Sequence, residues 1–299
     1  MSPQPKRISV DVAGHTLSLS NLDKVLYPEA GFTKGQVIDY YSRIAPYALA
    51  HLRDRALTLK RYPNGVDRGH FYEKQRPRHA PEWVRSERIA DIDFVVCDDL
   101  PTLVWLANLA DLELHPSLAK VDDAAAPVIL GFDLDPGPPA TIVECAEVAV
   151  QLRVALRALG LECFAKTSGS KGMQVYAPLN QAASYPQTRA VSKAVARALE
   201  RAEPDLVTSE MKKSLRPGKV FVDWSQNAEH KTTVGVYSLR AMARPTVSTP
   251  ITWDEVDAVR RSGDPEDLVF TSDAVLARVA ERGDLFAPVA EPRQTLPAF

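Results

Sequence analysis

Apolar and polar positions recur with two distinct periods along the chain. After the capping residue Thr33, apolar side chains return at helical spacing through Val37, Tyr40, Tyr41 and Ile44, which predicts an amphipathic helix. The same spacing recurs in four more segments. The predicted helices cover 34–50, 102–113, 141–159, 185–203 and 272–282.

Alternation with a period of two predicts strands between these helices. They are expected as a hairpin over 8–19 and as strands around 55–62, 71–75, 84–89, 94–97, 112–116, 128–136, 163–166, 173–177, 219–224 and 234–239. Residues 20–28 read as a short capped turn or helix ended by Pro28, and the tail from about residue 250 as a peripheral cap. Helices and strands interleave, so we predict a mixed α/β fold.

The chain shows no internal repeat, no low-complexity tract and no obvious linker, and 244–250 is the only candidate hinge. We therefore predict one domain over 1–299. Its 299 residues, 45% hydrophobic and 25% charged, are typical of a globular protein with a sizeable core.

Three widely spaced cysteines indicate neither a disulfide framework nor a zinc site. No apolar run approaches membrane-spanning length, and no signal-peptide core follows the N-terminus. These features predict a cytoplasmic protein without a membrane partner.

The apolar strand predicted at 128–136 ends in Asp133 and Asp135, which stand two residues apart. Side chains at i and i+2 of a strand share one face, so the two carboxylates would project together. Such carboxylates repel each other unless a cation lies between them, and a hard divalent ion with oxygen ligands is suitable. An Asp-rich solvated turn explains a bare Asp-x-Asp equally well.

A second candidate is the Gly/Ser loop 167–172, Thr-Ser-Gly-Ser-Lys-Gly, between two predicted strands. Backbone N–H groups, the hydroxyls of Ser168 and Ser170 and the charge of Lys171 could cradle a phosphate. The loop lacks the Walker pattern. The spacing Ser168-x-x-Lys171 also matches a serine hydrolase, which stays an alternative.

Charge is distributed in blocks although the net charge is only −2. Basic segments over 1–90 and 166–245 flank an acidic segment over 91–165 that contains the Asp pair. This arrangement suits a metal site beside a cationic surface that faces a polyanion, although ordinary solvated faces would explain it too.

Asp223 ends another apolar strand, so three carboxylates are available at strand ends. Three carboxylates can hold two divalent ions about 3.5–4 Å apart. With Ser168, Ser170, Lys171 and Arg240 to clamp a triphosphate, they would form a nucleotidyl-transfer site.

Several motifs in this order resemble the archaeo-eukaryotic primase superfamily, and most closely the polymerase domain of bacterial DNA ligase D and the stand-alone bacterial primase-polymerases. The motifs are 21–28 (Asn-Leu-Asp-Lys-Val-Leu-Tyr-Pro), 60–67 (Lys-Arg-Tyr-Pro-Asn-Gly-Val-Asp), 71–75 (Phe-Tyr-Glu-Lys-Gln), 112–115 (Leu-Glu-Leu-His), 131–136 (Gly-Phe-Asp-Leu-Asp-Pro), 167–172, 219–227 (Lys-Val-Phe-Val-Asp-Trp-Ser-Gln-Asn) and 237–240 (Tyr-Ser-Leu-Arg). The resemblance covers about 17–285, leaving 286–299 as a tail. It implies a primase-like core of largely antiparallel or mixed sheets flanked by helices.

The resemblance also implies roles for individual residues. It makes Asp133, Asp135 and Asp223 the catalytic ligands of two Mn²⁺ or Mg²⁺ ions. The implied nucleotide-binding residues are Lys60, Phe71, His115, Ser168, Ser170, Lys171, Gln226 and Arg240. The implied DNA-binding residues are Asn21, Lys24, Lys34, Phe71, Tyr72 and Arg216, with the first three around a 5′-phosphate. For His115 this replaces the default interpretation of a core or loop histidine.

The implied substrates are gapped or broken DNA with a 5′-phosphate and nucleoside triphosphates, with a preference for ribonucleotides. The implied context is gap filling or non-homologous end joining in the nucleoid, with primase activity, Ku and a DNA ligase as candidate additions. Two departures stand out: Tyr72 replaces a frequent phenylalanine, and 85–100 is short for the loop that arranges broken ends. No ligase or nuclease motif is present, so the sequence fits a stand-alone polymerase or one excised from a larger chain.

Three alternatives remain at this level. A metal-dependent glycosyltransferase would use the Asp-x-Asp but leaves Asp223 and the basic segments without a role. A serine hydrolase on Ser168 and Lys171 would have its oxyanion disfavoured by three nearby acids. A non-catalytic module that binds DNA ends would bind DNA without metal-dependent turnover.

Overall fold

The computed structural model describes residues 7–179, 183–291 and 294–297. The helices are α1 (Lys34–Leu52), α2 (Leu100–Asn108), α3 (Ile142–Ala158), α4 (Tyr185–Ala202), α5 (Trp253–Ser262), α6 (Ser272–Arg282) and α7 (Ala287–Ala290). The strands are β1 (Arg7–Val12), β2 (His15–Ser20), β3 (Val25–Tyr27), β4 (Phe32–Thr33), β5 (Leu57–Arg61), β6 (Phe71–Glu73), β7 (Ser86–Ile89), β8 (Ile92–Val95), β9 (Asp111–Pro116), β10 (Ile129–Pro136), β11 (Phe164–Thr167), β12 (Met173–Pro178), β13 (Val207–Thr208), β14 (Val220–Asp223) and β15 (Pro250–Ile251). This confirms the mixed α/β class.

A six-stranded sheet with the order β13-β14-β10-β12-β11-β15 forms the centre of the fold. Its pairings are antiparallel except for the parallel pair β13–β14. Strand alternation sends Leu130, Phe132 and Leu134 into a core cluster with α3 and α4. The opposite face therefore carries the polar residues of β10 and β12.

A three-stranded sheet, β6-β5-β9, forms a second layer with α1 and α2. Its core cluster includes Tyr40, Tyr41 and Ile44 of α1, and it extends to Ile129 and Tyr176 on the larger sheet. The Tyr41 hydroxyl donates to the Leu112 carbonyl at 2.7 Å, which fastens α1 to β9. The two layers thus meet on the polar face of the large sheet.

Most predicted elements are present with boundaries shifted by a few residues. Thr33 caps α1 through a reciprocal capping box with Gln36, as the sequence pattern indicates. The predicted helix 102–113 instead ends at Asn108, because Ala110 adopts a positive φ of 60° and Asp111 already begins β9. Residues 20–28 form a turn and β3 rather than a helix.

The predicted strand 234–239 is wrong. Gly235 N donates to Leu114 O and Tyr237 N to Ser248 O, and Tyr237 has a positive φ of 65°, so the segment turns between two neighbours. Its apolar residues reflect burial, not a strand period. The sequence also missed helix α5.

The predicted tail 286–299 includes α7, which packs on α1 and β12. Residues 292–293 and 298–299 of that tail lie outside the described residues. Among the described residues, no helix is long and apolar enough to cross a membrane.

Asn227 fastens the loop after β14 to the centre of the sheet. Its side chain is fully buried, its Oδ1 accepts from Gly131 N at 3.0 Å, and its Nδ2 donates to Gly131 O at 2.7 Å. Both backbone groups are thus satisfied where β10 has no strand partner on that side.

Replacing Asn227 with Ala should lower the free energy of unfolding by about 2–3 kcal/mol, because two buried backbone groups lose their partners. Urea unfolding followed by circular dichroism measures this change. Asn64→Ala is the control, since Asn64 is exposed and its Oδ1 accepts from Lys24 Nζ at 3.2 Å. Equal stability of the two variants would contradict the role of Asn227.

Candidate active site

Three aspartates lie side by side at the centre of the large sheet. The antiparallel register places Asp133 of β10 directly opposite Asp223 of β14, and Asp135 follows two residues later on the same face. Phe132 and Leu134 alternate with them and point into the opposite core. The strand pairing therefore brings Asp223 to an acid pair some ninety residues earlier in the chain, as the sequence analysis expected.

Neighbouring polar groups orient two of these carboxylates. Gln174 Nε2 donates to Asp133 Oδ1 at 3.1 Å. Asp223 Oδ1 accepts from Ser225 N at 2.9 Å and from Ser225 Oγ at 2.6 Å, and Asp223 Oδ2 accepts from Gln226 Nε2 at 2.7 Å. Gln226, which was expected near the nucleotide, thus holds Asp223 in place.

Asp133, Asp135 and Asp223 form an acidic cluster that has little compensating positive charge. Burial and the negative charge of Asp135 raise the pKa of Asp133 to about 7. Burial and the charge of Asp223 also raise the pKa of Asp135 above its ordinary value. A divalent cation would relieve this repulsion, and an all-oxygen donor set is the chemistry that Mg²⁺ and Mn²⁺ prefer.

As the side chains stand, the described part of the chain contains no group of three or more His, Cys, Asp or Glu residues that could hold a metal ion. The predicted two-ion centre on the three aspartates therefore stays a prediction. The donor chemistry and the raised pKa values fit a cation, and Asp223 is engaged with Ser225 and Gln226.

A buried lysine stands behind the acidic cluster. Lys166 is fully buried, and its ammonium donates to Gln174 Oε1, to Val234 O at 3.0 Å and to Ser248 Oγ at 2.8 Å. Because Gln174 accepts from Lys166, its amide nitrogen is left to donate to Asp133. Burial lowers the pKa of Lys166 to about 7. Neither Lys166 nor Gln174 was identified from the sequence.

The loop between β11 and β12 is closed by its own first serine. Ser168 Oγ accepts from the N–H groups of Ser170 and Gly172, both at 3.2 Å. These two backbone N–H groups are therefore engaged within the loop, so the predicted phosphate cradle would rely on the other donors of the loop. The hydroxyl hydrogen of Ser168, the Ser170 hydroxyl and the Lys171 ammonium remain as candidate phosphate donors.

Two glycines allow this loop to approach its neighbours closely. A Cβ on Gly172 would lie 2.0 Å from Leu134 O, and one on Gly169, whose φ is +70°, would lie 2.6 Å from the carbonyl carbon of Val247. Arg240 Nη1 donates to Ser168 O at 2.9 Å. The loop is thus fixed against β10 and against the segment that carries Arg240.

Glu113 of β9 connects three of the expected nucleotide-binding side chains on the facing layer. It is 2% exposed. Its Oε1 lies 3.4 Å from Lys60 Nζ, and its Oε2 lies 3.1 Å from His115 Nε2 and 3.4 Å from Arg240 Nε. Tyr62 OH donates to the same carboxylate at 3.2 Å. Glu113 is absent from the residues predicted from the sequence, although strand alternation places it on the same face as His115.

The charge of Glu113 fixes the tautomer of His115. Burial would raise the pKa of Glu113, but the His115 hydrogen bond and the charge of Arg240 hold it well below its ordinary range. An ionised carboxylate only accepts, so His115 Nε2 carries the hydrogen and Nδ1 is left for a ligand. Burial lowers the pKa of His115 in turn.

Of the three aspartates, Asp133 and Asp135 but not Asp223 line a cavity of about 200 Å³. This cavity brings together most of the residues expected to bind metal and nucleotide. They are His115, Asp133, Asp135, Ser168, Ser170, Lys171, Gln226 and Arg240, and Gln174 also lines the cavity. Glu113 links Lys60 to His115 and Arg240, and we call these three side chains the cationic wall.

The two expected aromatic residues lie on opposite faces of β6. Register pairs Tyr72 with Lys60 and Phe71 with Arg61. The Tyr72 ring is 6.2 Å from the His115 ring and 5.5 Å from Lys60 Nζ, and it is 59% exposed. Phe71 packs on the Arg61 guanidinium at 5.2 Å. Of the two rings, Tyr72 therefore faces His115 and Lys60, which are predicted to bind the nucleotide, and Phe71 faces Arg61.

The residues expected around a 5′-phosphate form a separate basic site. Lys24 Nζ donates to Pro63 O at 2.5 Å, and Lys34 Nζ donates to Ser20 O at 2.6 Å, so both ammonium groups contact neutral oxygens. Burial and the charge of Lys24 lower the pKa of Lys34 to about 8. Asn21 and Lys24 line a cavity of about 520 Å³ beside them.

Arg216 lies at the far edge of the acidic cluster, on the loop before β14. Its guanidinium stacks on the Phe221 ring at 3.8 Å, and its charge opposes the rise in the pKa of Asp135. The segment 85–100, which was judged short, forms the tight hairpin β7–β8 with Ile89 paired to Ile92.

Comparison with known proteins gives consistent results. Residues 33–286 match the family described as LigD, primase-polymerase domain. The multifunctional non-homologous end joining protein LigD of Mycobacterium bovis is 42% identical over 294 residues, covering 92% of this chain and 38% of that protein. The bifunctional non-homologous end joining protein LigD of Bacillus subtilis is 33% identical over 268 residues, covering 89% of this chain and 43% of that protein. The chain thus spans less than half the length of these curated relatives.

Among solved structures, the polymerase domain of Mycobacterium tuberculosis ligase D in complex with DNA matches with a TM-score of 0.86 and 40% sequence identity. The match covers 93% of this chain and 99% of that one. It confirms the predicted fold, and the family confirms the predicted resemblance and the enzyme class of nucleotidyl transfer. The chain belongs to the family of LigD primase-polymerase domains.

Proposed function

We propose that this chain is a template-directed nucleotidyltransferase that extends DNA primers with ribo- or deoxynucleotides at gaps and broken ends. The observation that carries the proposal is the cavity in which Asp133 and Asp135 lie together with Lys171, His115 and Arg240. A primer 3′-hydroxyl at the acidic cluster would attack the α-phosphate of a triphosphate held by the cationic wall.

The cationic wall is prepared for a triphosphate before the nucleotide arrives. Glu113 holds Lys60, His115 and Arg240 in place at distances between 3.1 and 3.4 Å. A fixed group of donors costs little reorganisation when charge develops on the phosphates. Since one buried carboxylate cannot neutralise several cations, the wall keeps a net positive charge toward the ligand. Tyr72 would stack on the incoming base from the same side.

The proposed cofactor is Mn²⁺ or Mg²⁺, with two ions held by Asp133, Asp135 and Asp223. Such ions supply activation of the primer hydroxyl and neutralisation of charge on the leaving pyrophosphate. The protein's own part is orientation: Gln174 fixes Asp133, and Ser225 and Gln226 fix Asp223. The raised pKa values of Asp133 and Asp135 mean that cation binding would displace protons and strengthen as pH rises.

The proposed DNA substrate is gapped or broken and carries a 5′-phosphate. Lys24 and Lys34 would bind that phosphate, with Asn21 beside them, because among the described residues both ammonium groups donate to neutral oxygens and form no ion pair. Phe71 and Arg216 would contact the template and primer. The family placement supports this function over the glycosyltransferase, serine hydrolase and non-catalytic alternatives.

We propose repair by end joining as the biological context, since both relatives are non-homologous end joining proteins. Ku, a DNA ligase, the preference for ribonucleotides and a nucleoid location are part of this proposal. So is the organisation of 1–299 as a single catalytic domain. The short β7–β8 hairpin supports gap filling more than the arrangement of two broken ends.

Asp135→Asn should reduce metal-dependent nucleotide incorporation at least about a thousandfold, because a ligand at the reacting centre loses its charge. Primer extension in Mn²⁺ and in Mg²⁺ measures this loss, and DNA affinity should not weaken. Asp273→Asn removes the same charge from an exposed position on α6 and should extend normally. Normal extension by Asp135→Asn would reject the metal assignment.

Glu113→Gln should raise the KM for nucleoside triphosphate about tenfold and leave DNA affinity unchanged, since Lys60, His115 and Arg240 lose their common anion. Steady-state extension at saturating DNA separates KM from kcat. The control is Glu73→Gln, which breaks the 2.9 Å ion pair with Arg61 in the same sheet. A KM as low as that of the control would show that Glu113 does not position the wall.

Lys24→Ala should weaken binding to gapped DNA that carries a 5′-phosphate about tenfold, and should change binding to the unphosphorylated gap far less. Fluorescence anisotropy on the two substrates gives the ratio. Lys219→Ala is matched, because Lys219 Nζ also donates to a carbonyl, Pro204 O, at 2.5 Å. Equal losses with and without the phosphate would reject the proposed site.

A further inference from the structure

Helix α4 carries a row of four cations along one side. Arg189, Lys193, Arg197 and Arg201 follow one another at intervals of four residues, so they stack on one face of the helix. At 1.5 Å per residue the row is about 18 Å long. We call these four residues the α4 stripe.

The α4 stripe has no acidic counterpart. From Arg189 to Arg201, the exposed positions of α4 are only arginines and alanines. The acid of this segment, Glu200, faces away and accepts from Thr208 Oγ1 and Ser209 Oγ. Within the described residues, none of the four cationic side chains forms an ion pair.

Other helices of the same protein are different. Arg260 of α5 pairs with Glu147 at 2.7 Å, and Arg278 of α6 pairs with Glu255 at 2.5 Å. Mixed charge of that kind is typical of a helix face that only meets water. Four unpaired cations separated by alanines instead leave room for an anionic surface to approach closely.

The stripe begins beside the acidic cluster. Two cations of the stripe contact the Trp224 ring. The Arg189 guanidinium lies 5.2 Å and Lys193 Nζ lies 4.7 Å from the centroid of that ring. Trp224 directly follows Asp223 in the chain, and Ser192 Oγ donates to Trp224 O at 3.2 Å. The stripe therefore starts at the residue that follows the third aspartate, on the face of the sheet that carries α3 and α4 and not the carboxylates, and it runs along the β13 edge of the sheet.

We propose that the α4 stripe binds the phosphate backbone of duplex DNA that extends out of the active site past Asp223. A row of about 18 Å spans the phosphates of about five base pairs along one strand. Such contacts position a duplex without reading its sequence. The choice of DNA as the polyanion rests on the proposed function. The unpaired positive charge of the α4 stripe is an observation that does not depend on that function.

The test is the salt dependence of DNA binding by the double variant Arg197→Gln and Arg201→Gln, which leaves the residues stacked on Trp224 intact. The probe is a fluorescein-labelled gapped duplex, and anisotropy gives the affinity over a series of salt concentrations. Each lost phosphate contact lowers the slope of log K against log salt by about 0.9, so the slope should fall by about two. Affinity at low salt should fall at least about fivefold.

The matched control is Arg157→Gln with Arg261→Gln. These two arginines are exposed and stand in the last turns of α3 and α5, and α5 follows β15 at the opposite edge of the sheet. The control should keep the wild-type slope. A third variant, Arg197→Lys with Arg201→Lys, keeps the charge and should also keep the slope.

An unchanged slope in the glutamine variant would overturn the proposal and leave the stripe for another acidic partner. A slope lost equally in the lysine variant or in the control would overturn it as well. The assay reads binding without turnover. A wild-type chain that binds DNA but incorporates no nucleotide would therefore overturn the proposed function and not the stripe.

Discussion

Repulsion among Asp133, Asp135 and Asp223 is the constraint on which the surrounding structure depends. Strand register forces the three carboxylates together in a buried position, and burial raises the pKa of the first two. No basic side chain forms an ion pair with them among the described residues. Their charge is therefore left uncompensated, and hydrogen bonds rather than ion pairs orient Asp133 and Asp223.

In the second layer the repulsion is between positive charges. The charges of Lys60 and Arg240 would repel each other, and Glu113 holds these two side chains and His115 from behind, where it is shielded from water. A carboxylate in that position can stabilise a cationic wall without closing its front. The two walls are thus built from the same elements, a cluster of like charges and a neighbouring group that orients it, with the signs reversed.

The sequence predicted the fold and the residues of the cavity well, because strand alternation and strand ends determine which side chains share a face. The sequence could not show which hydrogen bonds those side chains form within the protein. Ser168 Oγ accepts from two N–H groups of its own loop, and Gln226 donates to Asp223. Both contacts depend on the folded geometry of the chain, which the sequence pattern does not give. The prediction of a strand over 234–239 is wrong because a segment buried on all sides has the same apolar pattern as a strand.

The alternation of side chains along β6 limits which insertions and deletions the preceding loop can tolerate. Phe71 and Tyr72 face opposite sides, and their register against β5 is set at Arg61 and Lys60. A slip of one residue would exchange the two rings between the side of Lys60 and His115 and the side of Arg61. The connection from 62 to 70 can therefore lose or gain residues only if the pairing is preserved, so its tolerated lengths are limited by register and not by the space available to the loop.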